Sequence, residues 1–260
     1  MFRPTAPGMG RPRVRSRRDN ILPPRRTQAW LWGTALAAAL GLASDAEAFP
    51  DSFEGRLEAL ALLQTLNADL LSHDSATATL QRWCAEHGLA AEPRIVAHRV
   101  SVEKPADAEV RTLLAAGADE PIRYRRVALA CGERVLSEAD NWYRPGRLTA
   151  EMNRALETTE TPFGAVVRSL GFHRRTLDAV LLFEPLSDGW ERRPRPPTLR
   201  HALALPHELL RHRAVLETPD GVPFSLVVET YTDEVLRSSP PPQSGGGGPR
   251  SGGGGAGQGR

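Results

Sequence analysis

Cysteine is scarce in these 260 residues: Cys84 and Cys131 are the only two. They do not stand at metal-ligand spacing, which excludes zinc ribbons and cysteine-held clusters. Each sits where a small buried apolar residue would fit, and a disulfide between them is the alternative. Their Cα separation decides between the two, and sequence does not report it. No glycine-rich segment follows a strand and opens a helix, so phosphate-cradling loops are excluded as well. Ser75 and Ser225 lack the His/Asp neighbours of an activated nucleophile. His207-Glu208-Leu209-Leu210-Arg211-His212 is one residue too long for a zinc-peptidase signature. On a helix, residues five apart lie about 140° apart, against about 40° for residues four apart. No internal repeat is present. Neither a metal nor a cofactor is expected.

The two ends differ from the middle. Residues 1–26 hold eight arginines against one acid, Asp19, and an apolar run follows from Ala29 to Ala43. That run, at about 15 residues, is short of the ~20 that span a bilayer. With Asp45-Ala46-Glu47-Ala48 after it, the pattern predicts a secretory signal over 1–48, cleaved after Ala48. A periplasmic or secreted protein with no membrane span after cleavage is the expectation; a cytoplasmic one follows if the segment is not a signal. Residues 237–260 are rich in proline and glycine, with no apolar side chain larger than alanine. Nothing there offsets the entropy of ordering, so a disordered tail is expected.

The charge balance shifts once the ends are set aside. The whole chain has 33 basic and 31 acidic residues. Eight arginines and three acids lie before residue 49 and three arginines in the tail, leaving residues 49–236 with 22 basic and 28 acidic residues. A domain with a net charge of −6 offers no compositional support for nucleic-acid binding.

Residues 49–236 are long enough to bury a core. Leu57, Leu60, Leu63, Leu66 and Leu70 recur at helical spacing, predicting a helix over 54–71. Asp74 and Ser75 supply capping chemistry for a second helix that Gly88 ends. Strands are predicted over 94–102, 122–131 and 135–143, the last two as a hairpin, and a helix over 148–156. A short helix opens at Pro162-Phe163-Gly164, and a strand returns over 174–183. The final hairpin pairs 214–217 with 224–231 around Asp220-Gly221. Strands arriving as hairpins, with helices early and in the middle, indicate an α+β domain on an antiparallel sheet.

Several motifs along this path resemble the chorismate lyase-like family. Leu70-Leu71-Ser72-His73-Asp74-Ser75-Ala76-Thr77 resembles its leucine-rich helix running into Asp-Ser-x-Thr, and Arg125-Arg126-Val127-Ala128-Leu129 its Arg-x-Val-x-Leu strand. Pro162-Phe163-Gly164 resembles Pro-Leu-Gly, and Gly221-Val222-Pro223 through Glu229 its closing Gly-x-Pro, apolar run and Glu. Ala139-Asp140-Asn141 stands where the family often has a small residue followed by Arg-Thr, which reverses a charge near the expected anion site.

The resemblance implies an antiparallel sheet with helices enclosing a small ligand cavity. It also implies a cofactor-free elimination of pyruvate from chorismate, or a related enolpyruvyl or aromatic acid, to give 4-hydroxybenzoate. The alternative is an exported, non-catalytic protein binding a small aromatic carboxylate on the same fold, as relatives bind effectors in transcription regulators. Carried over by position, Glu229 matches the catalytic acid and Arg125 the carboxylate-holding arginine. Ala76, Ala139 and Phe163 match pocket positions. Arg175 is a further candidate for positive charge at the substrate. A guanidinium grips a carboxylate through two parallel hydrogen bonds, and a carboxyl in apolar surroundings can hold or release a proton near neutrality. The partner is therefore a small-molecule carboxylate; the oligomeric state is left open.

Overall fold

A computed structural model describes residues 49–237. The predicted signal over 1–48 and the tail beyond Arg237 lie outside the described residues. Helix α1 (Phe53–Leu71) starts at Ser52, whose hydroxyl accepts the Gly55 N–H at 3.1 Å. Gly55 is obligatory, because a Cβ there would stand 2.2 Å from the Pro50 carbonyl oxygen. Ala59, Leu63, Leu66 and Leu70 form the buried stripe of α1. Helix α2 (Ala76–Glu86) is capped by Ser75 and followed by Gly88 at φ +59°.

Strand β1 (Ile95–Val100) comes next, then the short helix α3 (Ala108–Leu113) and the hairpin β2 (Arg123–Cys131) and β3 (Arg134–Tyr143). Helices α4 (Ala150–Thr158) and α5 (Phe163–Val166) precede β4 (His173–Leu181), β5 (Glu208–Glu217) and β6 (Pro223–Thr232). The six strands form one antiparallel sheet in the order β1-β2-β3-β6-β5-β4. The α+β class expected from the sequence is the one observed. Among the described residues, no helix is long and apolar enough to cross a membrane.

One face of the sheet carries two apolar clusters side by side. The first gathers Leu63, Leu66 and Leu70 of α1 and Leu80 and Trp83 of α2 over Val127 and Leu136. The second gathers Met152, Leu156, Phe163 and Phe172 over Tyr143 and Phe224. The opposite face is covered more sparsely, by Val110 of α3 and Leu114, the residue that caps its C-terminus, against Trp142, Val215 and Leu226. Cys84 and Cys131, both fully buried, are joined in a disulfide that ties the last turn of α2 to the end of β2.

Candidate functional site

Period-two alternation decides which side chains reach the helix-covered face. The ladders align Arg125 with Asn141 and Val227, and Val127 with Ala139, Glu229 and His212. Where the two apolar clusters part, this face forms the floor of a small cavity, with about 40 Å3 open to the centre of a water-sized atom. The residues before and within the first turn of α2, from Asp74 to Thr77, form part of the wall, and Phe163 and Gly164 of α5 form another. These helices touch: a Cβ on Gly164 would stand 3.1 Å from Ser75 Oγ and 3.2 Å from Thr77 Oγ1.

The structure brings Ala76, Arg125, Ala139, Phe163 and Glu229 to this one cavity. Arg175 is elsewhere, and its assignment is corrected. Its side chain is 51% exposed on the opposite face, where Nε donates to Glu217 Oε1 at 2.8 Å. The neighbouring residue takes the inward position: Arg174 lines the cavity, with its side chain 4% exposed. A bulge between Thr176 and Asp178 shifts the register of β4. Leu177, at that bulge, packs beneath the sheet on the same side as Arg175, so the apolar residue two positions on marks the sparsely covered face and not the cavity face.

Asp140 also points away from the cavity. It accepts hydrogen bonds from Tyr124 Oη at 2.7 Å and Arg126 Nη1 at 3.0 Å, so the reversed charge noted in the sequence does not enter the site. Asn141 is the member of that pair facing inward, where Ser225 Oγ donates to its Oδ1 at 2.7 Å.

The buried polar atoms of the cavity that lack a partner among the described residues are all donors. Arg125 is 6% exposed and donates from Nη2 to the Thr161 carbonyl at 3.3 Å. Its Nε and Nη1, Asn141 Nδ2 and Arg174 Nε find no hydrogen-bond partner among the described residues. Burial, with the Arg99 charge adding to it, pulls the Arg125 pKa down to about 10, which leaves it charged at neutral pH. Arg174 Nη2 donates to Glu229 Oε2 at 2.5 Å, and the Tyr231 hydroxyl reaches the same oxygen at 3.3 Å. Burial opposes the Arg174 charge, but Glu229, Tyr231 and Asp74 together raise its pKa.

Behind the cavity, His212 is fully buried and hydrogen-bonded through Nε2 to Asn67 Oδ1 at 2.8 Å. Burial lowers its pKa to about 4, so it is neutral. Sequence reasoning missed Arg174, His212 and Tyr231 as neighbours of Glu229. The parity of the final strand carried a signal only for Tyr231, two residues beyond Glu229 on the same face.

An antiparallel α+β domain with a donor-lined cavity under two helices is the class that fold and site define. No protein-family model matches the chain. It is 53% identical over 196 residues to the uncharacterized protein y4mC of Sinorhizobium fredii, covering 74% of this chain and 83% of that one. The chain belongs to the family of that protein. Among solved structures it is similar to the effector domain of PhnF from Mycobacterium smegmatis, at 16% identity and a TM-score of 0.39. That alignment covers 62% of this chain and 90% of that one. A GntR-family transcriptional regulator from Enterococcus faecalis aligns at 16% identity and a TM-score of 0.34, over 55% of this chain and 96% of that one. The expectation of a periplasmic or secreted protein is set aside: the solved structures to which the chain is similar include transcriptional regulators, and the likeness is one of fold alone.

Proposed function

We propose that the domain binds a small carboxylate-bearing molecule in this cavity, with the acid against Arg125 and Asn141. One observation carries the reading: Arg125 Nε and Nη1 and Asn141 Nδ2 are buried, lack acceptors among the described residues, and belong to residues directly opposed on β2 and β3. Buried donors without acceptors cost stability, and a carboxylate supplies acceptors in the fork geometry a guanidinium prefers. Val127, Ala139, Phe163 and Val227 give the cavity apolar walls for the rest of the ligand. The role of Glu229 at the other end is to hold Arg174, its ion-pair partner.

Titration calorimetry of the full chain with benzoate tests the reading. Measurable binding, abolished by Arg125→Met, is the expected result. No heat from the wild type sinks it.

A second reading, chorismate pyruvate-lyase chemistry, is favoured by Glu229 Oε1, which accepts no hydrogen bond among the described residues although its residue lines the cavity. There the carboxyl would move the proton that accompanies loss of pyruvate. Formation of 4-hydroxybenzoate from chorismate by the wild type, and its loss in Glu229→Gln, supports this reading. It ranks second because the chemistry asks Glu229 to exchange a proton while a guanidinium holds it at 2.5 Å.

A further inference from the structure

We infer that Arg174, rather than Glu229, reads the end of the ligand remote from its acid, and reads it as a neutral hydrogen-bond acceptor. This rests on the cavity being the ligand site proposed above. A free carboxylate at Glu229 would select a donor on the ligand. Its Oε2 is instead already engaged by Arg174 Nη2 and the Tyr231 hydroxyl. Arg174 retains a buried N–H, at Nε, that no described residue accepts. Glu229 Oε1, though without a described partner, is not among the fully buried unpartnered atoms, whereas Arg174 Nε is, so the unmet buried need at this end of the cavity is for an acceptor.

Charge decides between a neutral acceptor and a second acid. Arg125 and Arg174 face one buried carboxylate, Glu229; Asp74, the other acid of the lining, is 53% exposed and screened by water, which leaves one buried positive charge uncompensated. A single ligand carboxylate at Arg125 balances it. A second would leave a negative charge unpaired in a buried site, which is strongly unfavourable. Between the two ends the lining is apolar, including Val127, Ala139, Phe163, Leu216 and Val227. The ligand class that follows is a short monocarboxylic acid with an apolar middle and a carbonyl or ether oxygen at its far end.

Levulinate and 4-methylpentanoate test this directly, because they have the same heavy-atom skeleton and differ only by an oxo group in place of a methyl. Glutarate adds the second acid. Calorimetry on the full chain should find levulinate bound about tenfold or more tighter than 4-methylpentanoate, the scale of one hydrogen bond to a charged donor. Glutarate should be weaker than levulinate. The Arg174→Gln/Glu229→Gln double variant removes both charges together and should bind levulinate and 4-methylpentanoate alike. Arg174→Lys, which keeps the charge against Glu229 but lacks the guanidinium Nε, should narrow the preference if the double variant fails to fold. Equal binding of the isosteres by the wild type, tighter glutarate binding, or a preference that survives both variants would overturn the inference. Absence of binding by all three acids and by benzoate would overturn the cavity reading itself, and this inference with it.

Discussion

Arg125 is held in a place that disfavours it. Two of its N–H groups are buried and without acceptors among the described residues, a condition that costs roughly 1–3 kcal/mol per unsatisfied group. Replacing it with methionine, similar in reach and without charge, should raise stability by about 1–3 kcal/mol while abolishing carboxylate binding. Urea denaturation of Arg125→Met beside the wild type measures this as a shift of the midpoint. A lowered midpoint would mean that the Thr161 contact outweighs the buried charge.

His212 should make stability depend on pH. Its pKa of about 4 in the folded protein lies below the ordinary 6.5. The unfolded chain therefore takes up the proton first as pH falls. Stability contributed by this group is complete above about pH 6.5 and is lost progressively toward pH 4, on the order of 3 kcal/mol in all. Melting temperatures across that range should fall more steeply for the wild type than for His212→Gln. At this scale the resemblance to a family supplied Arg125 and Glu229, by carrying motif positions across, whereas their own strands gave little to mark them. The sequence was uninformative where two neighbours are alike. Arg174 and Arg175 differ only in parity, and the apolar residue that shares the parity of Arg175, Leu177, packs on the face away from the cavity.

Among the elements, α2 and α5 approach each other closely beside the cavity, at Gly164. Gly164 sits against the hydroxyls of Ser75 and Thr77, and Ser75 is engaged as the cap of α2, accepting the Ala78 N–H at 3.3 Å. An added methyl can be accommodated only by moving that cap or separating the helices. Gly164→Ala is therefore expected to destabilise by about 0.5–2 kcal/mol, the worth of an N-cap, and to speed amide exchange in the first turn of α2. Exchange that is unchanged there would show that α5 yields instead.

The disulfide anchors the other end of α2 to β2. Because it closes a separation of 47 residues, reduction should cost about 2–4 kcal/mol, read as the shift in urea midpoint with and without a thiol reductant. Long elements with a clear period were legible in advance: α1, α2 and both hairpins stand where leucine spacing, caps and Asp220-Gly221 put them. Helix α3 was not, because six residues with one fully engaged apolar side chain, Val110, carry no measurable period. The first half of β5 was hidden by alternating arginine and histidine, whose apolar neighbours Leu209 and Leu210 are consecutive at a bulge.

For the molecule as a whole, the described residues form a sheet whose six strands are covered on one face by four helices and on the other by a single short one. If residues 49–237 are the complete folding unit, their thermal melt should superimpose on that of the full chain. A lowered transition would place stabilising contacts in the segments on either side.

The pairing of β3 with β6 has a consequence for how the site comes into being. Asn141 and the Ser225 that orients it are 84 positions apart, and Ala139 meets Glu229 over a similar span. Contacts so far apart along the chain form slowly, because the intervening loop must be closed first. On the ribosome, β1, β2 and β3 with their arginine emerge well before the strand that completes the cavity. Until then the cavity floor lacks Val227 and Glu229, so the binding chemistry is completed only when the last hairpin arrives.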